Sequence, residues 1–394
     1  GDAVAGDGVW SATIPGGGLA AGQLVRYYVT ATDTASRASR WPFFPDASDS
    51  EQYLGTVVTN AAIATQLPLV QLFAADFQPV LDGGSARVAL YHLGELYDNI
   101  LISRHGQSSA GWPKNSFNLD FNSDHRFLYA PGQPRQKDLK LLSNYSDTTW
   151  MHTTLAYEKI AEAGGVGHFS FPVRVHTNGG FYGIEDFVED ADELFLERNG
   201  RDPNGALYKM YNALTDTGGG EKKTRTWESS ADLASFINNL NQALPLADRV
   251  RYGCDNLDLP QTVSYFATLA LVANQDHGHK NYYVYRDSDG TGEWAPFPWD
   301  VDLTWGRNWT QGGGYFQDTF YPDNVLNFYP GDAIQSKTAN RLYDLVFSHP
   351  AFRQMYLRRL RTLMDALLKP TGTPTNALNV EPRMRALADL MDPP

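Results

Sequence analysis

At 394 residues, with 42% hydrophobic and 20% charged content, the chain is long enough for two or three domains and a large core. Its 45 acidic residues against 32 basic ones give a net charge of -13, which repels a phosphate backbone and argues against nucleic acid as a general partner. Cys254 is the single cysteine, which excludes an internal disulfide and a Cys-rich zinc site, and no apolar run approaches a membrane span. The N-terminus lacks the basic-then-apolar profile of a signal peptide, so any export signal is expected outside this chain.

Residues 8–58 alternate apolar and polar positions in "GVWSATIP", "LVRYYVTATD" and "QYLGTVV", separated by Gly/Pro/Asp-rich turns. The pattern is similar to the C-terminal half of an immunoglobulin- or fibronectin-like module, and residues 1–62 are expected to be part of such a β module. A hairpin extension of the main domain is the other reading. The main domain runs from 66 to 394. Strands dominate 66–192, interrupted by one helix, "DTTWMHTTLAYEKIAEAGG", with Asp147 as N-cap and Gly164–Gly165 as the stop. Helices are expected over 200–394, at about 229–243, 258–274, 333–347, 350–368 and 376–391. A β-rich lobe followed by a helical lobe is an α+β plan, and the cleft between two lobes is a usual ligand site.

The densest chemistry lies in 274–306, "NQDHGHKNYYVYRDSDGTGEWAPFPWDVDLTWG". Asp276 and Asn281 have the Asp-x-x-x-x-Asn spacing of a kinase catalytic loop, where the Asp accepts a hydroxyl proton and the Asn holds magnesium. Taken alone, Asp276 is better explained as a residue that caps or turns the chain at a helix exit, and the spacing by itself is weak evidence. An extended "WDVD" would put Asp300 and Asp302 on one face, where two carboxylates repel unless a cation or a shared proton intervenes. Hard oxygen ligands suit magnesium, manganese or calcium, and a structural calcium site remains open at this point. The hairpin "YYVYRDSDGTGEWAPF" joins the two groups. His277 and His279 lack a third ligand at a zinc spacing.

The run "NQDHGHKNYYVYRD…WAPFPWDVDLTWG" resembles the signature of the CotH family, spore-coat-type proteins with an atypical protein-kinase-like fold. "ILISRHGQSSAGWPKNSFNLDF", "LKLLSNYSDTTWMHTTLAYE" and "NGGFYGIEDFVEDADELFLERNG…GALYKM" resemble further segments of that family in the same order. The resemblance implies a two-lobed fold and phosphoryl transfer from ATP with Mg2+ (or Mn2+ or Ca2+) to Ser or Thr of a coat or envelope protein. It places the chain at the spore coat or cell envelope, or outside the cell. By the same resemblance Lys114 reaches the nucleotide phosphates, Glu158 orients Lys114, and the turn from Arg104 through Ser108 to Ser109 covers the phosphates. Glu189 and Lys209 lie near the adenine. Asp276 is the general base, and Asn281, Asp300 and Asp302 hold the metal.

The chain departs from the family pattern at Glu185, where Tyr is usual, at His152, where Arg is frequent, and at "RHG" in place of "RG". A non-catalytic extracellular binding or adhesion module with a structural metal is one rival function. A hydrolase using Asp276 and Asp300 as an acid/base pair, which needs carboxylates about 5–9.5 Å apart, is another.

Overall fold

Alternation of inward apolar and outward polar residues closes strands 69–189 into a barrel. In the computed structural model, which describes residues 4, 6–211, 214–274, 276–306 and 340–391 without the Ser108 side chain, the N-terminal residues form two separate ribbons. Strand β1 (Leu24–Tyr27) pairs with β4 (Leu54–Val57), and β2 (Val29–Thr32) with β3 (Ala38–Trp41). The expected strands in "LVRYYVTATD" and "QYLGTVV" form, "GVWSATIP" is not a strand, β3 arises outside the expected segments, and no sandwich assembles from the described residues.

Seven strands follow: β5 (Leu69–Phe73), β6 (Ser85–His92), β7 (Glu95–His105), β8 (Ser116–Asp120), β9 (Asp138–Leu142), β10 (Ser170–Thr177) and β11 (Gly180–Glu189). Their order is β10-β11-β9-β8-β7-β6-β5, closed by a parallel β5–β10 pair in which Val70 faces Val175. Val88, Ile100, Ile102, Phe117, Leu119, Leu139, Leu141, Val173 and Phe187 fill the interior. Because side chains alternate, Lys140 and Leu142 of β9 point outward, as does Val188 of β11. That outer face is also buried, since Leu142 and Val188 join a second core with Leu207, Tyr283, Phe297 and Trp299.

These partners belong to a four-stranded sheet ordered β13-β12-β14-β15, made of β12 (Ala206–Met210), β13 (Gly220–Lys222), β14 (Tyr282–Arg286) and β15 (Trp294–Pro298). Its opposite face, with Tyr208, Met210, Tyr282 and Val284, packs on helices through Phe236, Phe266 and Tyr343. A sheet covered on both faces reads as a continuous apolar run, and every residue of "ALYKM" is buried.

The helices, numbered among the described residues, are α1 (Gln78–Leu81), α2 (His152–Glu162), α3 (Glu193–Arg198), α4 (Ala231–Asn239), α5 (Leu246–Asn256), α6 (Leu259–Leu271), α7 (Arg341–Ser348), α8 (Pro350–Leu367) and α9 (Val380–Met391). The expected helix at 229–243 ends at Asn239, and α5 follows it with few apolar residues to announce it. Residues 333–339 of the expected 333–347 helix lie outside the described residues. Asp147 is not the N-cap of α2, which begins at His152. Its carboxylate instead accepts from the backbone N–H of Met151 and His152, both at 2.9 Å, and so secures the turn that leads in.

Residues 299–303 are not a strand. β15 stops at Pro298, and Asp300 takes the left-handed conformation (φ 54°), which Asp tolerates better than most residues. The segment is held by α2: Trp305 Nε1 donates to the His152 carbonyl at 3.4 Å, and His152 Nδ1 lies 3.2 Å from the Asp302 carbonyl.

Candidate active site

Where the outer face of the barrel meets the four-stranded sheet there is a cavity of about 330 Å³, within the range of small-ligand pockets. His105 and the 106–109 turn, Ser116 and Asn118 of β8, and residues 142–146 after β9 form one wall. Lys209, Asp276, Lys280, Asn281, Trp299, Asp300 and Asp302 form the other. Of the residues singled out in the sequence, Arg104, Lys209, Asp276, Asn281, Asp300 and Asp302 therefore share one cavity.

Asp276 follows the C-terminal end of α6, and its backbone N–H donates to Asn274 Oδ1 at 2.9 Å. Asn281, itself left-handed (φ 64°), donates from Nδ2 to the Asp276 carbonyl at 3.1 Å and to Asp276 Oδ2 at 2.9 Å. The loop is thereby closed on itself. Asn281 Oδ1 has no donor among the described residues, and Asp276 Oδ1 is buried without a hydrogen bond. Lys280 Nζ stands 3.6 Å from Asp276 Oδ2. Trp299 N donates to the Asn281 carbonyl at 3.1 Å, which sets the Asp276–Asn281 loop beside the segment carrying Asp300 and Asp302.

All three carboxyls hold their protons more tightly than free Asp. Burial raises Asp276 to about 6 against the opposing charge of Lys280. Burial and the charge of Asp276 raise Asp300, while burial and Asp300 raise Asp302 to about 7. Asp302 Oδ2 already accepts from Ser146 Oγ at 2.8 Å, whereas the Asp300 carboxylate has no hydrogen-bond donor among the described residues. Carboxyls crowded in this way are short of positive charge, which a hard divalent cation supplies. Among the described residues no three His, Cys, Asp or Glu side chains stand close enough to hold an ion alone. Asp300 and Asn281 Oδ1, with Asp302 as co-ligand, fit magnesium completed by phosphate and water oxygens.

Gly106 takes φ 108°, and a Cβ there would lie 2.2 Å from Ser109 Oγ, so the turn between Arg104 and Ser109 needs a glycine. Arg104 is anchored by Nη1 to the Leu81 carbonyl at 2.8 Å. Ser108 opens the 3-10 turn Ser108–Gly111, and its side chain lies outside the described residues. His105 sits against Asn118 Oδ1 at 2.8 Å with its ring edge-on to Trp299.

Three expected residues do not line the cavity. Lys114 Nζ pairs with Glu185 Oε1 at 2.8 Å and donates to the carbonyls of Ser143 at 2.8 Å and Ile184 at 2.6 Å. The reason is parity, because Glu185 shares with Phe187 the face of β11 that fills the barrel, and Lys114 is drawn to it. Glu158 does not orient Lys114. It accepts a forked pair of bonds from Arg383 of α9, from Nη2 to Oε1 at 2.7 Å and from Nε to Oε2 at 2.9 Å. Glu189 is buried against Arg198 and accepts from Phe169 N at 2.5 Å, away from the cavity.

Several residues went unassigned in the sequence. Trp299 was read only as part of a motif, yet its ring floors the junction of barrel and sheet. Ser146 and Asn144 follow β9 in a loop whose role no local pattern announces. The departures also find places: Glu185 is the partner of Lys114, and His152 Nδ1 lies 3.2 Å from the Asp302 carbonyl.

A sequence model of the family described as CotH kinase protein matches residues 102–384. Over 309 residues the chain is 24% identical to the inner spore coat protein H of Bacillus subtilis (strain 168), covering 75% of this chain and 79% of that protein. Among solved structures, the Helicobacter pylori proinflammatory kinase CtkA matches with 11% identity and a TM-score of 0.26, covering 69% of this chain and 95% of that one. A likeness of that size supports no statement about this chain.

Proposed function

Because the chain belongs to the CotH kinase family, we propose that its cavity carries out ATP- and magnesium-dependent phosphoryl transfer to a Ser or Thr hydroxyl of a coat or envelope protein. The observation that carries this reading is the convergence of the Asp276–Asn281 loop with Asp300 and Asp302 on one cavity that also holds Lys209 and Arg104.

Asp276, fixed by Asn281, accepts the hydroxyl proton as the acceptor oxygen attacks the γ-phosphorus in line and the bond to the β–γ bridging oxygen breaks, releasing ADP. Asn281 Oδ1 and Asp300 would hold magnesium, with Asp302 as co-ligand. Magnesium, when bound, offsets the charge of the triphosphate and of the departing diphosphate. The turn 104–109 offers backbone N–H groups above the phosphates. Asp302, restrained by Ser146, keeps the carboxylate segment in place. The relative from the Bacillus spore coat supports a coat location for this protein.

The test is incubation with γ-labelled ATP and magnesium in the presence of coat or envelope proteins. Wild type transfers label to Ser or Thr, while Asp276→Asn retains nucleotide binding and loses about 100-fold or more in rate. Transfer by Asp276→Asn at the wild-type rate rejects the assignment of the base.

A further inference from the structure

β12 alternates its side chains between two buried faces of the sheet. Ala206, Tyr208 and Met210 enter the helical core, which leaves Leu207 and Lys209 on the face that meets the barrel. Lys209 is thus a buried ammonium, 7% exposed, on a face where Tyr283 lies opposite it on β14 and Glu221 on β13, a costly placement unless the charge is matched. Its Nζ lies 4.4 Å from the centre of the Trp299 ring and 5.2 Å from that of Tyr211. The ammonium lies against the ring faces, and among the described residues Lys209 Nζ has no ion pair and no hydrogen bond.

The lysines nearby differ. Lys114 donates to two backbone carbonyls, is ion-paired with Glu185 and stands outside the cavity. Lys140, on the outer face of β9, is paired with Asp190 at 2.8 Å, and Lys223 lies 3.6 Å from the other oxygen of the same carboxylate. Asp190 is therefore shared by two other cations. Lys209 lines the cavity that also holds Asp300. An ammonium aimed into a polar cavity, with unused protons and a neighbouring metal-binding carboxylate, is the arrangement that receives a phosphate oxygen bridged to the same cation.

Building on the kinase reading above, we propose that Lys209, and not Lys114, is the lysine that binds the polyphosphate of the nucleotide, and that Lys114 is a positioning residue locking the 143–146 wall of the cavity to the barrel. Lys209 thereby serves the phosphates and not the adenine. The ligand class is a polyphosphate anion, of which the triphosphate of ATP is the form the proposed reaction uses.

The experiment is equilibrium binding of ATP, adenosine and inorganic tripolyphosphate, each with magnesium, to the full chain of wild type, Lys209→Met and Lys209→Arg. Met matches the apolar surroundings of Trp299, and unchanged melting temperatures verify that each variant folds. Lys209→Met is expected to weaken ATP and tripolyphosphate by about tenfold or more while leaving adenosine within about twofold, and Lys209→Arg to recover most of the loss. Equal loss of adenosine and ATP overturns the proposal in favour of an adenine-side role, and unchanged tripolyphosphate binding overturns it outright. Retained polyphosphate binding in wild type without label transfer rejects the kinase reading alone and leaves the anion site standing. Absence of ATP and tripolyphosphate binding in wild type rejects both.

Discussion

Lys114 and Glu185 form an ion pair at 2.8 Å inside the end of the barrel, with the Glu side chain fully buried and the Lys side chain 19% exposed. Burial raises the Glu185 carboxyl, and Lys114 draws it back down, leaving it at about 7 against an ordinary 4.5. Between those values the folded chain keeps a proton that the unfolded chain has lost. The stabilisation from this proton is present below about 4.5 and is lost as pH rises through about 7. Removing Lys114 extends the window upward. Lys114→Met is therefore expected to cost about 3 kcal/mol near pH 8 and clearly less near pH 5.5, as read from denaturant melts at both values. Adding Glu185→Leu should recover most of the loss. A cost independent of pH would contradict the pair.

Glu158 presents a different case. Its forked bond to Arg383 joins α2 to α9 at a partly exposed site, so Glu158→Ala should cost about 1 kcal/mol or less. Arg383→Ala should cost about the same, and the double variant no more than either single one. Nucleotide affinity, measured by calorimetry, is expected to stay at the wild-type value in all three. A drop in affinity confined to Glu158→Ala would return that residue to the cavity.

Asp300 and Asp302 are separable through their partners. Asp300 has an unoccupied carboxylate, whereas Asp302 is restrained by Ser146. In thermal-shift measurements, the stabilisation that needs both ATP and magnesium should vanish in Asp300→Ala and shrink in Asp302→Asn. With either ligand alone, the two variants should behave as wild type does. Calcium stabilisation indifferent to ATP would instead mark a structural ion site.

Gly106→Ala tests the turn over the cavity. A residue with a Cβ at φ 108° is strained by about 1–2 kcal/mol, and the added carbon meets Ser109 Oγ. We expect a lowered melting temperature and weaker ATP binding. Loss of binding without loss of stability would show that the turn had moved and not merely strained.

How far the sequence foretells this site depends on the range of the interactions concerned. Asp276 and Asn281 are legible because their hydrogen bonds are local, closing a loop of six residues within one quoted motif. Asp300 and Asp302 reach the cavity by a route that the alternation rule misses, since a left-handed residue at 300 is not encoded in the pattern "WDVD". The place of Lys114 outside the cavity has a topological reason. A strand pattern indicates which residues share a face, but only closure of the barrel decides that the Glu185 face turns inward. Glu158 is decided by Arg383, 225 positions away and beyond any spacing rule. The signal for Lys209 was present as a lysine inside the apolar run "ALYKM", whose neighbours all prove buried.

The N-terminal ribbon bears on where the protein can be cut. Tyr53 N donates to Asp98 Oδ2 at 3.0 Å, Asn99 Nδ2 donates to the carbonyls of Ala47 and Ser50 at 2.9 Å, and Ser123 N donates to Asp49 Oδ1 at 2.8 Å. Asp98 is 2% exposed and belongs to β7, in the middle of the barrel. Excising the chain at the composition break near 62–66 would strip these bonds and open a buried carboxylate to water on one side. The segment 47–53 is thus tied to the barrel by hydrogen bonds that cross the composition break, and a cut meant to spare the barrel belongs before residue 46.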